Sequence, residues 1–283
     1  MKIIVKENGE LLDYLYKNLD MSRKKIKSYL THGAIYINNT RVTKYNYEVV
    51  KGLEILIDTN QKNKKVLPFE ILFEDDEIIV VNKPSGLLTI ATLKEKEKTL
   101  YHYISEYLKS SDKRAKVYIV HRLDKDTSGI VLFAKNEKMK NILQKNWNEY
   151  VSVREYIAVV HGKLKIKKAR LVNRLLETKT NLVYITNKKE GKEAITNYEV
   201  IKENDKYSLI KINLETGRKN QIRVQLANIG CPIVGDNKYG MEHEESKVTR
   251  LLLHANRLKI YYPKIKKDIM FEVKTPKEFK KLI

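Results

Sequence analysis

Short runs of apolar residues constrain the fold of this chain more than any other feature of its sequence. Three segments, 78–82, 130–134 and 156–160, are almost entirely apolar and are bounded by polar or glycine-containing stretches. Runs of this length are typical of strands buried on both faces. Amphipathic helix patterns such as 100–108 lie among them without strict alternation. We therefore predict an α+β fold with a mixed sheet rather than a doubly wound fold.

The N-terminal part of the chain has a pattern of its own. Apolar residues at helical spacing over 12–19 precede Ser22, which can cap a second helix, and two short strand patterns follow. The next stretch is polar and rich in Lys and Asn, as is typical of a linker. We predict a small domain over 1–60, a linker over 61–68 and a larger domain over 69–283.

The charge balance indicates a polyanionic partner. The 283 residues include 56 Lys and Arg against 35 Asp and Glu, a formal net charge of +21. We favour nucleic acid over a membrane surface, because no helix pattern combines a basic face with an all-apolar opposite face. The single cysteine, Cys231, excludes a disulfide framework and a cysteine-rich zinc site. No apolar run is as long as a membrane span, and we expect a cytoplasmic protein.

The densest cluster of chemically active side chains is 121–129, His-Arg-Leu-Asp-Lys-Asp-Thr-Ser-Gly, directly before an apolar run. This position would hold Asp124 at the edge of a buried strand, where a carboxylate can act as a nucleophile, a base or a metal ligand. The segment is not a kinase catalytic loop, because Leu123 separates Asp124 from His-Arg. Walker, His-Glu-x-x-His and Gly-x-Ser-x-Gly motifs are absent from the sequence.

A second polar segment, 216–223, begins at the predicted end of a strand and enters a predicted helix. Arg223 can supply a fixed guanidinium to a buried carboxylate there, while Arg218 and Lys219 can reach phosphates. Tyr156 and His254 stand in apolar runs, where such residues are more often structural than catalytic.

In identity and order, these segments resemble the RluA/RluD-type family of RNA pseudouridine synthases. The resemblance covers about 69–270 and includes 121–129 almost residue for residue. The other matching positions are Val-Asn-Lys-Pro-Ser-Gly-Leu at 81–87, Tyr156, Gly162, Thr-Gly-Arg at 216–218, Gln-Ile-Arg-Val at 221–224, Leu-His-Ala at 253–255 and Pro263. The resemblance implies a mixed, largely antiparallel sheet with flanking helices. It also implies isomerisation of uridine to pseudouridine in RNA, with neither cofactor nor metal.

The resemblance also implies roles for individual residues. Asp124 would be the essential carboxylate, either attacking C1′ or abstracting a sugar proton. Arg223 would keep Asp124 anionic and oriented through a two-pronged pair. Tyr156 would pack against the extracted base or sugar, and Leu253 would form the opposite apolar wall. Arg122 would enter the gap left by the everted base and hold the RNA open.

The first 60 residues resemble a small α/β RNA-binding domain of the S4 type. The match rests on Ser22-Arg23 at a helix start, Gly33, a short strand and Asn38-Asn39. We expect RNA contacts from this domain and from the 216–219 segment. The residues involved would be Arg23, Lys24, Lys25, Lys27, Arg41, Arg218 and Lys219. The S4-type unit favours large-subunit ribosomal RNA as substrate over transfer RNA, and we expect a monomer that does not act on DNA.

Two departures from the family pattern lie near Arg223. Lys219-Asn220 replaces the usual Thr-His, and Gln225 replaces a His. They leave the reaction type in place but bear on the substrate site. Two other functions stay open: a non-catalytic RNA-binding or ribosome-assembly factor, and an Asp-dependent nucleoside hydrolase. The hydrolase would need a second carboxylate as proton donor, for which Asp126 is the nearest in sequence.

Overall fold

The computed structural model describes residues 1–31, 33–38, 40–58, 67–242 and 248–283. Two compact units are present, Met1–Pro68 with Glu106–Arg114, and Phe69–Ser105 with Ala115–Ile283. The predicted linker falls mostly on 61–66, outside the described residues, and the domain limits stay a prediction. Within the described part, no helix has the length and apolar character needed to cross a bilayer.

The first unit combines two short helices with small antiparallel sheets around one apolar core. Its helices are α1 (Leu11–Asn18) and α2 (Arg23–Thr31), and Ser22 caps α2 by accepting the Lys25 N–H. The strands are β1 (Lys2–Ile4), β2 (Gly9–Glu10), β3 (Ile35–Ile37), β4 (Thr40–Arg41), β5 (Glu48–Val49) and β6 (Glu54–Ile57). The predicted Asn38-Asn39 turn includes Asn39, which lies outside the described residues.

The second unit is built on an 11-stranded, mostly antiparallel sheet with helices beside it, and the predicted fold class is confirmed. Nine strands follow the order β13-β12-β14-β15-β11-β16-β10-β8-β7, while β17 pairs with β16 and β9 with β10. The strands are β7 (Glu70–Glu74), β8 (Ile78–Lys83), β9 (Tyr118–Ile119), β10 (Ser128–Ala134), β11 (Val151–His161), β12 (Lys168–Glu177), β13 (Val183–Thr186), β14 (Lys192–Glu203), β15 (Tyr207–Leu214), β16 (Leu253–Tyr262) and β17 (Lys267–Glu272).

The helices of the remaining chain are α3 (Leu100–Ser111), α4 (Glu137–Lys145), α5 (Trp147–Tyr150), α6 (Gln221–Asn228) and α7 (Lys277–Lys281). Asn136 caps α4, since its side chain accepts the Met139 N–H at 2.8 Å. The segment 275–278, Thr-Pro-Lys-Glu, has the sequence of a capping box with Pro at the first helical position, but α7 begins only at Lys277. Pro276 keeps an extended ψ of 147° and occupies the cap position itself, so the box does not form.

One parallel pairing determines where the polar segment before β10 lies. Ser128 pairs with His254 and Gly129 with Ala255, which sets the start of β10 beside the start of β16. A Cβ on Gly129 would come within 2.1 Å of the Ala255 carbonyl oxygen, and the φ of Gly129 is +118°. Only glycine therefore permits this close approach. As a result, the loop that precedes β10 lies next to Leu253.

Candidate active site

The side chains singled out in the sequence converge on one pocket of the second unit. Asp124, Tyr156, Arg223 and Leu253 line it together with the exposed Arg122. The pocket contains about 450 Å³ of empty space, its open mouth included. Segments far apart in sequence thus meet at the place where β10, β11, β16 and α6 come together.

The loop that carries Asp124 is fastened to a neighbouring turn. We call residues 121–127 the Asp124 loop and residues 83–89 the Lys83 turn. Ser85 Oγ and Thr89 Oγ1 donate to two backbone carbonyls of the loop, at 2.6 and 2.7 Å. The Gly86 N–H donates to a third at 3.0 Å. Since the bonds reach the backbone, they fix the course of the loop and leave the Asp124 carboxylate available to the pocket.

Lys83 joins the turn and the loop from inside the protein. Its side chain is fully buried, and Nζ donates to the carbonyls of Pro84, Leu87 and Lys125 at 3.0, 2.8 and 2.9 Å. Three N–H bonds of an ammonium group match these three acceptors. Burial lowers the pKa of Lys83 to about 7, and nearby carboxylates oppose the shift. In the sequence, Lys83 marks only the end of a strand, so sequence analysis missed that its side chain connects the Lys83 turn to the Asp124 loop.

Replacing Lys83 with Met should loosen the Asp124 loop. The apolar volume is largely kept, but two partly buried carbonyls lose the Lys83 donor and a third, that of Lys125, keeps only the Gly86 N–H. Each unsatisfied group costs about 1–3 kcal/mol. We expect urea denaturation to show a loss of at least about 2 kcal/mol, and kcat for pseudouridine formation to fall at least about tenfold. Lys138→Met on the exposed face of α4 is the control. Unchanged stability and turnover in Lys83→Met would contradict this function of Lys83.

The environment of Asp124 suits a reactive carboxylate. Burial raises the pKa of Asp124 above its ordinary value, and the positive charges of Arg223, Arg122 and Lys83 oppose the rise, in that order of size. A carboxylate in such surroundings holds a proton more strongly than an exposed Asp, while the cations still favour its ionised form. It can therefore act as a base or as a nucleophile.

The prediction that Arg223 makes a two-pronged pair with Asp124 is wrong. Arg223 makes that pair with Asp236, through Nε to Oδ2 at 2.8 Å and Nη2 to Oδ1 at 2.6 Å. Both side chains are almost completely buried. Arg223 still lines the pocket and is the strongest positive charge acting on Asp124. Asp236 therefore anchors the guanidinium, which acts on Asp124 through space.

Asp236 is itself held by its surroundings. Its Oδ1 also accepts the backbone N–H groups of Lys238 and Tyr239 at 2.9 and 3.0 Å. Burial alone would raise the pKa of Asp236, but the bonds and charge of Arg223, with these N–H groups, bring it below its ordinary value. Asp236 is thus an anion at neutral pH. In the sequence, Asp236 lies in the polar segment 235–240, Gly-Asp-Asn-Lys-Tyr-Gly, to which the sequence analysis assigned no function.

Tyr156 and Leu253 lie on adjacent strands and face the same pocket. Leu253 pairs with Ala158 across β11 and β16, and a bulge beside Tyr156 brings Tyr156 opposite Ala255. Bulges near functional sites redirect a side chain. Burial raises the pKa of Tyr156 to about 12, so its phenol keeps its proton at neutral pH. The pocket thus has an aromatic wall and an aliphatic wall, which fits a flat base or a sugar.

Two histidines near the pocket hold β10 in place through hydrogen bonds. His121 Nε2 accepts the Leu132 N–H at 3.0 Å, and burial lowers the pKa of His121 to about 3. His254 is 2% exposed and bonds through Nδ1 to the Ser128 hydroxyl at 2.8 Å. Burial lowers the pKa of His254 to about 4. Both rings are therefore neutral at physiological pH and support the start and the middle of β10.

The two departures from the family pattern have local partners. Gln225 is fully buried, donating to Asn173 Oδ1 at 2.8 Å and accepting the Thr196 hydroxyl at 2.6 Å. It thus fastens α6 to β12 and β14. Asn220 adopts a left-handed φ of 53° before α6 and accepts a bond from Arg223 Nη1 at 3.3 Å. Gln225 thus has a structural position outside the pocket, whereas Asn220 is itself one of the pocket-lining residues.

The predicted RNA contacts divide into two sets. In the second unit, Arg218 is exposed at the pocket, whereas Lys219 is engaged with Glu177 and Asn181. In the first unit, the four predicted cations of α2 are exposed, and Arg23 lies over the Tyr16 ring. Arg41 belongs to β4, and its side chain lies outside the described part of the chain. No described carboxylate pairs with the α2 cations, which are Arg23, Lys24, Lys25 and Lys27.

Solved structures with a similar fold include two human proteins. The RNA pseudouridylate synthase domain containing 4 protein matches with a TM-score of 0.61 and 22% identity, covering 74% of this chain and 89% of that one. The domain containing 1 protein matches with a TM-score of 0.60 and 21% identity, over 76% of this chain and 86% of that one. At this identity, the likeness establishes the fold.

Sequence comparison extends the likeness to the family. A family model described as RNA pseudouridylate synthase matches residues 77–228. The uncharacterised RNA pseudouridine synthase YhcT of Bacillus subtilis is 32% identical, over 98% of this chain and 93% of the relative. Ribosomal large subunit pseudouridine synthase D of Buchnera aphidicola is 30% identical, over 98% of this chain and 94% of the relative. With its fold, its pocket and these relatives, the chain belongs to the RNA pseudouridine synthase family.

Proposed function

We propose that this enzyme converts specific uridines of structured large-subunit ribosomal RNA to pseudouridine, with Asp124 as the essential carboxylate. The observation that carries the assignment to Asp124 is its position in the pocket, where burial raises its pKa and Arg223 and Arg122 supply opposing positive charge. Among the pocket-lining residues, it is the one carboxylate. A single carboxylate also argues against a glycosidase-type hydrolase, which uses two.

The reaction needs no second substrate to balance. The N1–C1′ bond breaks, the uracil rotates, and a C5–C1′ bond forms, while the proton lost from C5 is matched by one gained at N1. Asp124 serves this exchange either by attacking C1′ or by taking a proton from the sugar. Tyr156, protonated with a pKa of about 12, packs against the base or sugar and can pass a proton.

A uridine inside a structured RNA must leave its stack to enter the pocket. Eversion costs a few kcal/mol, which the protein has to offset with new contacts. Arg122 is exposed at the pocket and has no carboxylate partner among the described residues. Its planar guanidinium can stack on a base and bind a phosphate at once. We assign Arg122 to the gap in the RNA and Leu253 to the apolar wall behind the everted base.

The choice of ribosomal RNA rests on two supports. Relatives from Buchnera aphidicola and Borreliella burgdorferi, 30% and 29% identical, are large-subunit ribosomal pseudouridine synthases by name. We infer that the first unit is an RNA-binding unit of the S4 type, and it presents four exposed cations on α2. We propose that this unit docks on the ribosomal RNA in the cytoplasm, as a monomer, while the second unit performs the chemistry.

Mapping of pseudouridines in total RNA, with and without this protein, tests the proposal. We expect at least one uridine of large-subunit ribosomal RNA to lose its modification when the gene is deleted, and to regain it with the wild-type protein but not with Asp124→Asn. If the uridine that loses its modification lies in transfer RNA instead, transfer RNA would be the substrate. Restoration by Asp124→Asn would exclude Asp124 from the chemistry, while no missing site in any RNA would support a non-catalytic RNA-binding factor.

Neutralising α2 should weaken RNA binding without changing the chemistry. Each phosphate contact in a duplex contributes about −0.9 to the slope of log K against log salt. We expect the combined Lys24→Ala, Lys25→Ala and Lys27→Ala variant to reduce that slope by about 2–3 on ribosomal RNA fragments. Turnover of a short substrate should stay near the wild-type value. Lys138→Ala with Lys140→Ala on α4 is the control, and an equal loss there would contradict a docking function for α2.

A further inference from the structure

A second groove adjoins the pocket that contains Asp124. Arg122, Gly217 and Arg218 line both, so the two form one continuous surface. The groove contains about 940 Å³ of space open to solvent, roughly twice that of the pocket. Its other side is formed by the end of β12, the start of β13, the turn before β14 and the first residue of β14. No step of the proposed reaction uses this space.

The floor of the groove is apolar. Leu175 and Val183 belong to a small buried cluster, and the half-buried Leu176 lies beside them in the lining. Leu175 and Val183 are each 4% exposed, so the floor rests on packed side chains. An apolar floor can accept the face of a nucleobase, whatever the base, because every base has an apolar face.

The sides of the groove are positively charged. Its lining has four cations, Arg122, Arg218, Lys219 and Lys192, against the two carboxylates of Glu177 and Glu190. Lys219 pairs with Glu177, so these two charges cancel. Within the described part of the chain, Arg122, Arg218 and Lys192 pair with no carboxylate. This leaves a surplus of positive charge beside an apolar floor, which is the combination that single-stranded nucleic acid requires.

The groove is formed before any ligand binds. Lys219 and Lys238 both donate to Asn181 at the tip of the β12–β13 hairpin, at 2.9 and 2.6 Å. The Val183 N–H donates to the Tyr239 hydroxyl at 3.0 Å. These bonds hold the hairpin against the chain that carries Arg223 and Asp236. Lys219 therefore helps to fix the hairpin, and a fixed groove loses little entropy on binding.

We propose that this groove binds the single-stranded nucleotides that flank the everted uridine on one side of the RNA chain. The inference rests on the proposed function, because the groove continues from the pocket that would contain the uridine. Arg122 lies at the junction, where the phosphate between the uridine and its neighbour would pass. Lys192 and Arg218 bind the following phosphates, and a flanking base rests on Leu176 and its buried neighbours.

Binding of two short probes to the full-length protein tests the proposal. Uridine 5′-monophosphate fills only the pocket, while pentauridylate reaches into the groove. We expect wild-type protein to bind pentauridylate at least about tenfold more tightly. Lys192→Glu should remove most of that difference, leave the monophosphate within about twofold, and reduce the salt slope for pentauridylate by about 0.7, the value for one phosphate of a single strand. Lys138→Glu, which changes the net charge equally, should retain wild-type binding of both probes.

Several results would overturn the groove assignment. Equal affinity of wild-type protein for both probes would do so, as would an unchanged pentauridylate affinity in Lys192→Glu or an equal loss in Lys138→Glu. Thermal unfolding of each variant checks that the fold is intact. Pseudouridine formation, measured on total RNA with the same preparations, separates the two claims. If wild-type protein forms pseudouridine but Lys192→Glu does not change pentauridylate binding, the groove assignment alone is rejected. If wild-type protein forms no pseudouridine, the proposed function is rejected.

Discussion

Asp124→Asn should reduce pseudouridine formation by at least about 10³-fold, the size of effect typical when a reacting carboxylate is removed. The amide has nearly the same shape, and the backbone bonds from Ser85 and Thr89 that hold the loop do not involve the side chain. The pocket should therefore remain intact, and RNA affinity should stay within about twofold. Single-turnover assays on the mapped RNA, together with a binding titration, measure both quantities.

Asp126→Asn is the matched control for this experiment. Asp126 is two residues away in the same loop, but its side chain does not line the pocket. We expect a loss of less than about tenfold, because the Asp126 carboxylate acts on the pocket only through its charge on Lys83 and Arg223. If the two variants lost activity equally, the carboxylate at position 124 would have no special function. Full activity in Asp124→Asn would exclude Asp124 from the chemistry altogether.

Much of the candidate site could be predicted because its residues stand at the ends of apolar runs. The runs became β8, β10 and β11, and the polar residues beside them lie near β16, which stands between β10 and β11 in the sheet. Local patterns also located α6 after the 216–220 segment, with Gly230 beyond its end. The order of the strands is not contained in such patterns. The resemblance implied a mixed, largely antiparallel sheet with flanking helices, and the structure supplies the strand order.

The sequence could not predict which side chains and backbone groups bond to each other across the fold. Arg223 takes Asp236 rather than Asp124 because of the chain direction after Gly235, whose φ is +73° and whose Cβ would come within 2.1 Å of the Arg250 carbonyl oxygen. Such a turn has no clear signature in a single sequence. The same holds for Lys83, since three backbone carbonyls are brought around Nζ only in the folded protein.

The hairpin of β12 and β13 was missed for a different reason. Most residues of β12 are exposed or half-buried, so its apolar alternation is weak. The strand is fixed by contacts that are distant in sequence, including the bond from Gln225 to Asn173 and that from Lys219 to Asn181. Its position beside the pocket therefore depends on α6 and on two residues in which this chain departs from its family pattern.

Asp236→Asn should be the most destabilising change near the pocket. The amide can still accept the N–H groups of Lys238 and Tyr239, but Arg223 would be left buried without its carboxylate. Breaking a buried pair in this way costs about 3–5 kcal/mol. Arg223 would also be drawn towards Asp124, its nearest remaining anion in the pocket. We therefore expect kcat to fall at least about tenfold, beyond the loss of stability seen in urea denaturation.

A second Arg–carboxylate pair in the same protein provides the control. Arg170 and Glu215 make the same two-pronged contact, both bonds at 2.8 Å, but on the surface. Glu215→Gln removes the same charge from the same geometry. Because water and salt screen exposed pairs, its unfolding free energy and turnover should change far less than in Asp236→Asn. Comparable effects in the two variants would mean that burial of the Arg223–Asp236 pair is not what stabilises the site. A stable but inactive Asp236→Asn would instead assign the pair to positioning Arg223 alone.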